Sequence, residues 1–355
     1  MSLEPRFSRR AHTLLELIIV LTIVGMGFVV LIPQLLQSRD DFRQTGCALK
    51  QSQLAKAVLL FEHENNRLPV AGLTGVNPDG WFEPFSGKQF SWITLILPQL
   101  GLQETYDRID FTQDAFSTGG VNESITKLVC PADVEGLKGF RWVSHDSKTG
   151  QKFGLGNYAA FVAPSHVEFE HLHPGALGGF KPGTDRGQRL ARIKDGASNT
   201  FLLTDVRRRP EFGPSRTEDP DAGTFLTRDP RGAWALPWAG SSVIAALYHS
   251  VGYDDTPWVP WPNWDHEDVH TPNHGRDTIR PCPRPFDGGT RGMWCSTRSL
   301  YWSVAAPRSL HDGGVNAAFV DGRVDFISDE IDALLYAQTI VVNDGFRPFD
   351  ANSRD

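Results

Sequence analysis

Leu14-Leu15-Glu16-Leu17-Ile18-Ile19-Val20-Leu21-Thr22-Ile23-Val24-Gly25-Met26-Gly27-Phe28-Val29-Val30-Leu31-Ile32 decides what kind of chain this is. It has nineteen residues and one charge, Glu16. A helix of that length spans about 29 Å, close to the hydrocarbon thickness of a bilayer. Arg6, Arg9 and Arg10 precede it, and Asp40 and Asp41 follow it. The positive-inside rule then places the N-terminus in the cytoplasm and the rest outside. The expected location is the cell inner membrane, crossed once, with the bulk of the chain extracytoplasmic. A secretory signal peptide fits poorly, because the run is long and no small-x-small cleavage site follows it. Glu16 stands out, since a carboxylate in an apolar helix costs about 2.5–3.5 kcal/mol at mid-membrane on insertion scales and less near an end.

Working outward, Cys47, Leu54, Val58 and Phe61 recur at spacings of seven, four and three, which makes one apolar helical stripe suited to packing on a sheet. Pro33 is a candidate kink, and Leu68-Pro69 ends the element. One helix is therefore expected over 12–67, with its first half in the membrane. Further on, Phe90 to Leu100 reads as helix before a Gly101 stop, and Phe201 to Val206 as a buried strand. Val315 to Val320, then Asp321-Gly322, then Arg323 to Ser328 reads strand, tight turn, strand. Ile331 to Tyr336 reads as a short helix, and 341–355 as a loose tail. Residues 231–302 hold seven of the ten Trp and many Pro without periodicity, so 207–302 is expected to be an irregular insertion. A hydrophobic share of 40% and a charged share of 22% exclude wholesale disorder, and a net charge of −7 argues against a nucleic-acid partner.

The string Arg9-Arg10-Ala11-His12-Thr13-Leu14-Leu15-Glu16 resembles the class III leader of type IV pilins and type II secretion pseudopilins. The resemblance implies a leader over 1–11 and cleavage by a prepilin peptidase between Ala11 and His12. It further implies that His12 becomes an N-methylated terminus and that Glu16 pairs with the terminal amine of a neighbouring subunit. Ala11 stands where that family usually has Gly, and His12 where it usually has Phe.

A second resemblance covers most of the chain. Gly46-Cys47-Ala48-Leu49-Lys50-Gln51, Phe61 to Pro69, Cys130-Pro131-Ala132-Asp133, Gly156-Asn157-Tyr158, Asp195-Gly196-Ala197-Ser198-Asn199-Thr200 and His311-Asp312-Gly313-Gly314-Val315-Asn316 resemble, in order, the segments of the DUF1559 family of prepilin-type proteins. Asp312 replaces that family's usual Pro. The two resemblances imply an α+β fold: a pilin-like N-terminal helix on a mainly antiparallel β-sheet head, 68–340, with a large irregular Trp/Pro-rich insertion.

An extracytoplasmic head permits disulfides. Cys47 with Cys130 fits a bridge from helix to head, and Cys282 with Cys295 a local bridge; the other pairings and four free thiols stay open. His266, His270 and His274 are spaced four apart, the pattern of metal ligands on one helix face, but Pro272 interrupts that helix and a polar surface loop is the plainer reading. Glu218, Asp219 and Asp221 make an acidic loop of the kind calcium takes, without the complete calcium-loop pattern, and no other cofactor is expected. His311 precedes Gly313-Gly314, where chains can approach closely, and reads as a buried structural imidazole; Asp321 and Gly322 form the hairpin turn. No nucleophile elbow, P-loop or H-E-x-x-H accompanies His311, so no catalysis is expected. The expected function is a prepilin-like, membrane-inserted structural or minor subunit of a pilus-like or type II secretion-like fibre, assembling with itself or other pilin-like subunits. The alternative is a membrane-tethered module whose Trp-rich insertion captures an extracellular glycan or protein.

Overall fold

The computed structural model describes residues 14–76, 82–83, 86–133, 139–141, 151–164, 167, 174–178, 187–208, 217–218, 225–226, 230–246, 271–274, 277–279, 295–296 and 303–343. Helix α1 runs without interruption from Leu14 to Asn65, through Pro33. It stops where expected: Asn66 takes a left-handed φ of 57°, and Leu68-Pro69 follows. The chain divides into two units, Met1–Arg43 and Gln44–Asp355.

In the first unit the described apolar side chains of α1 are solvent-facing around the whole helix, from Leu14 (76% exposed) to Val29 (74% exposed). The side chains of residues 15, 16, 27, 28 and 30–38 lie outside the described residues. Among the described residues no helix is long and apolar enough to cross a membrane.

In the second unit α1 changes character. Cys47, Gln51, Leu54, Ala55, Val58 and Phe61 are buried, one stripe along one side, while Leu49 and Leu60 stay exposed. The stripe joins a core made with one face of a five-stranded sheet. The strands are β1 (Tyr158–Ala163), β2 (Phe201–Asp205), β3 (Val243–Ala245), β4 (Gly314–Phe319) and β5 (Val324–Ser328). Their order is β3-β1-β2-β4-β5, antiparallel throughout except for the parallel β3–β1 pair.

Side-chain alternation in β1 and β4 sends Ala160, Val162 and Ala318 to the α1 side, and Phe161, Ala317 and Phe319 to the other; an irregularity in the β2–β4 register sets Leu203 on the α1 side and Phe201 on the other. The second face is covered by Tyr336 and Ile340 of a short helix, Ala333–Ile340. Phe201 stacks 5.1 Å from Phe161 and lies 4.9 Å from Phe319, ring centre to ring centre. The two faces explain the continuous apolar run of β2, which is buried on both sides.

The Asp321-Gly322 turn forms as its sequence directs. Gly322 takes φ +86°, the Asp321 carboxylate accepts the Arg323 N–H at 2.9 Å, and Ser52 of α1 reaches the Gly322 carbonyl at 3.5 Å. The Asp195–Thr200 loop braces the same turn, for Asp321 N–H donates to Ala197 O at 3.1 Å and Arg323 to Ser198 O at 2.8 Å.

Four expectations are corrected. Phe90–Leu100 is not one helix: Phe90–Ser91 is strand, and only Trp92–Leu95 is helical, capped by the Ser91 hydroxyl. The C-terminal helix starts at Ala333 rather than Ile331, because Asp332 caps it by accepting the Leu335 N–H. The 207–302 stretch is not irregular throughout. Its segment 230–246 is core: Trp234 and Trp238 are buried, and β3 adds an edge strand to the sheet. The tail is docked at its start, where Val342 N–H donates to Pro174 O at 3.1 Å and its carbonyl accepts Lys194 N–H at 2.7 Å.

Gly314 tests the close approach at the start of β4. A Cβ there would meet the Ile327 carbonyl at 2.2 Å and the Phe326 ring at 2.8 Å, whereas at Gly313 (φ +76°) it would meet nothing within 4 Å. Gly314→Ala is expected to cost about 1–3 kcal/mol by overpacking. Gly313→Ala should cost about 1–2 kcal/mol through left-handed backbone strain alone. Urea unfolding checks the order, and the smaller loss at Gly314 would contradict it.

Candidate functional site

Motifs far apart in sequence meet where α1 lies on the sheet. Cys47, on the buried stripe of α1, is disulfide-bonded to Cys130 across 83 residues, with Cα atoms 4.9 Å apart. A bridge closing a loop of that length contributes about 2–5 kcal/mol. One turn along α1, the Lys50 ammonium donates to the carbonyls of Thr126 at 2.8 Å and Val129 at 2.7 Å. Its partial burial lowers its pKa. Gly46 lets Pro131 in, since a Cβ at Gly46 would lie 3.2 Å from the Pro131 ring.

Asn157, just ahead of β1, holds the other side of Cys130. Its Oδ1 accepts the Cys130 N–H at 2.9 Å, and its Nδ2 donates to Asp133 Oδ2 at 2.6 Å and to Val206 O at 2.9 Å. Arg208 also donates to Asp133, through its backbone N–H at 3.0 Å and its guanidinium. The Cys-Pro-Ala-Asp and Asn-Tyr segments are thus one hydrogen-bonded unit, with both charges buried and paired.

Asp205, the last residue of β2, is the centre of a second unit. Its Oδ2 accepts the backbone N–H of Asn316 at 2.9 Å and the Asn316 side-chain amide at 3.0 Å. The Asn316 carbonyl in turn accepts Gln51 Nε2 from α1 at 3.1 Å and the Thr204 hydroxyl at 3.0 Å. His311 Nε2 lies 3.9 Å from Asp205 Oδ2 and 3.7 Å from Cys130 Sγ. The Tyr158 hydroxyl donates to the Cys47 carbonyl at 3.3 Å. Burial pushes the Asp205 carboxyl up to about 7, against the two Asn316 hydrogen bonds that pull it down. Burial, and then the Asp205 charge, hold the Tyr158 hydroxyl well above its ordinary range. Asp205 Oδ1 and Gln51 Oε1 are buried without a hydrogen-bond partner.

A third unit lies on the β3 side. Asp277, wholly buried, accepts Arg308 at 2.7 Å, Arg231 at 3.0 Å and the Ala306 N–H at 3.1 Å. Arg308 N–H donates to the Asp205 carbonyl at 3.0 Å, which joins this unit to the second.

The structure places His311 and Cys130 together, along with Cys47, Gly313 and Gly314 at the foot of β4. Asp321 and Gly322 sit apart, at the far turn of the β4–β5 hairpin. His311 is buried, with its ring turned to a sulfur and a carboxylate. Asp205, Asp133, Arg208, Arg231, Asp277, Arg308 and Gln51 were missed. A charged residue inside or beside an apolar run was the one signal for Asp205.

Ala11, His12, His266, His270 and Cys282 lie outside the described residues, as do Asp219 and Asp221. Of Glu16, Glu218 and Cys295 only the backbone is described, in α1 and in two short strands. His274 is exposed and closes a turn, its N–H donating to Thr271 O at 3.1 Å, so no helix carries the spacing of the three histidines through Pro272.

Burial of the Asp205 carboxyl ties a proton to the stability of the fold. The folded chain holds this proton more tightly than the unfolded chain, whose carboxyl titrates near about 4. Between about 4 and 7 the folded state binds more protons, so this contribution to stability is full at low pH and declines as pH rises through that window. His311 and Tyr158 face the same carboxylate. Wild type should therefore lose stability relative to Asp205→Asn between about pH 4 and 7. A pH-independent difference in urea unfolding would contradict it.

A family model described as protein of unknown function (DUF1559) matches residues 37–334. No curated protein and no solved structure matches the chain. The matched range contains Cys47, Cys130, Asp133, Asn157, Asp205, His311 and Asn316, the residues that build the first two units. The chain belongs to the DUF1559 family.

Proposed function

We propose that the chain is a prepilin-like, membrane-inserted, non-enzymatic subunit, structural or minor, of a pilus-like or type II secretion-like fibre. The observation that carries this is the two-part character of α1. From Cys47 to Phe61 the helix buries one stripe in its own head. From Leu14 to Val29 it exposes apolar side chains all round, including Leu21 (60%) and Met26 (67%). A helix apolar on every side needs lipid or other apolar helices around it. Leu14–Ile32 as a whole has the length and hydropathy of one span.

Glu16 stands in the first turn of that helix. A carboxylate there is tolerable when another subunit brings a cation, and the amine of a neighbour's His12 after cleavage is such a cation. A scaffolding role is supported by the buried Asp133 and Asp277 carboxylates, each paired with a buried guanidinium from a distant part of the head.

The tethered binding module loses part of its support. Trp234 donates its indole N–H to Glu123 O at 2.9 Å and Trp238 to Gln89 Oε1 at 3.2 Å, both from within the core, so neither offers a ring face to a glycan or protein.

Glu16→Leu separates the two readings. Membrane insertion should be intact or improved, since an apolar residue inserts more easily. Recovery in the shear fraction should fall at least about tenfold, because the neighbour's amine is left unpaired at a cost of about 3–5 kcal/mol per contact. Terminal sequencing of the wild-type shear fraction should begin at His12. Equal recovery of both chains would refute the pairing. Display without any assembly in wild type would favour the tethered module.

A further inference from the structure

Two thiol-bearing residues and an imidazole converge from three separate parts of the chain: Cys47 from α1, Cys130 from the segment ahead of β1, and His311 from the loop that leads into β4. All three are buried, and one ligand atom from each lies within 4.8 Å of the others. We propose that opening the Cys47–Cys130 bond converts this point into a zinc-class metal site, with Cys47 Sγ, Cys130 Sγ and His311 Nε2 as ligands. The proposal does not depend on the fibre reading.

The distances support it. Tetrahedral zinc holds thiolate sulfur at about 2.3 Å and imidazole nitrogen at about 2.0–2.1 Å, which puts sulfur and nitrogen about 3.6 Å apart. Cys130 Sγ and His311 Nε2 are already 3.7 Å apart. The two sulfurs must separate to about 3.8 Å by the same geometry, and Cys47 Sγ, within 4.8 Å of the other two ligand atoms, must settle about 3.6 Å from His311 Nε2; breaking the sulfur–sulfur bond frees Cys47 Sγ to do so.

A second observation points to a ligand at the same place. Asp205, whose Oδ2 is 3.9 Å from His311 Nε2, keeps a buried Oδ1 with no hydrogen-bond partner. We assign the Asp205 carboxylate as the acceptor for a water in the fourth coordination position. The charges also close: two thiolates and one dication sum to zero, whereas two bare thiolates in this core would be strongly disfavoured. A pair of thiolates with an imidazole selects zinc over calcium or magnesium.

The chemistry balances with a dithiol as the reductant. One dithiol thiolate attacks a sulfur of the Cys47–Cys130 bond, the other cysteine leaves as a thiolate, and the second thiol of the reductant resolves the mixed disulfide. The reductant is left oxidised to its own disulfide, and two electrons and two protons reside on Cys47 and Cys130. Metal binding then releases those two protons, and a coordinate clamp between α1 and the head replaces the covalent one.

The test uses the full chain in detergent with Cys282→Ser and Cys295→Ser, so that Cys47 and Cys130 are its remaining cysteines. The probe is Co2+, then Zn2+, after reduction by a phosphine. The reduced chain should bind one Co2+, with thiolate-to-cobalt charge-transfer and tetrahedral visible bands that Zn2+ bleaches. The oxidised chain should show neither. His311→Ala should weaken binding at least about tenfold, and Ca2+ and Mg2+ should not compete. If reduction loosens the head, Zn2+ should restore its protease resistance. No cobalt bands, unchanged affinity in His311→Ala, no protection by Zn2+, or equal protection by Ca2+ would each overturn the site.

Discussion

The Cys47–Cys130 bond, with the buried hydrogen bonds around it, is the constraint on which the rest depends. A helix lying on a sheet is held by apolar area, which is generous in amount but indifferent to small slides and rotations. Directional contacts remove that freedom. Around this one point α1 is fixed covalently through Cys47, by Lys50 to two carbonyls, by Gln51 to Asn316 and by Tyr158 to the Cys47 carbonyl. The contacts fall on successive turns, so rotation or translation of the helix breaks several at once. Asp205 and Asn157 carry the same fixing into β4 and the Cys130 segment.

This arrangement explains the polar residues in so apolar a core. Asp133, Asp205 and Asp277 each sit on or beside the sheet, and each is met by amide or guanidinium donors. Removing one partner would strand the other in low dielectric, which gives these residues a cooperative, all-or-none character. The three units join through Arg308 and the Asn157–Val206 bond, so the head behaves as one braced body beneath α1.

Much of this was legible in the sequence. The stripe Cys47, Leu54, Val58, Phe61, the buried strand Phe201–Asp205 and the Asp321-Gly322 hairpin follow from periodicity and turn chemistry, which are local. The Cys47–Cys130 bridge was the pairing the sequence favoured, with other pairings left open, and the structure forms it. The Trp-rich stretch misled because its core segment, 230–246, has no period: Trp234, Leu236 and Trp238 enter the core from turns, so burial there is set by tertiary position. The ion units were illegible for the same reason. Asp277 and Arg231 are 46 residues apart, Asp133 and Arg208 75, and no spacing rule links them.

The most direct measurement is non-reducing peptide mapping of the full chain, with free thiols alkylated before digestion. The account predicts a linked pair of peptides carrying Cys47 and Cys130, which separates only on reduction. Alkylated Cys47 and Cys130 without prior reduction, or either cysteine linked instead to Cys282 or Cys295, would contradict it.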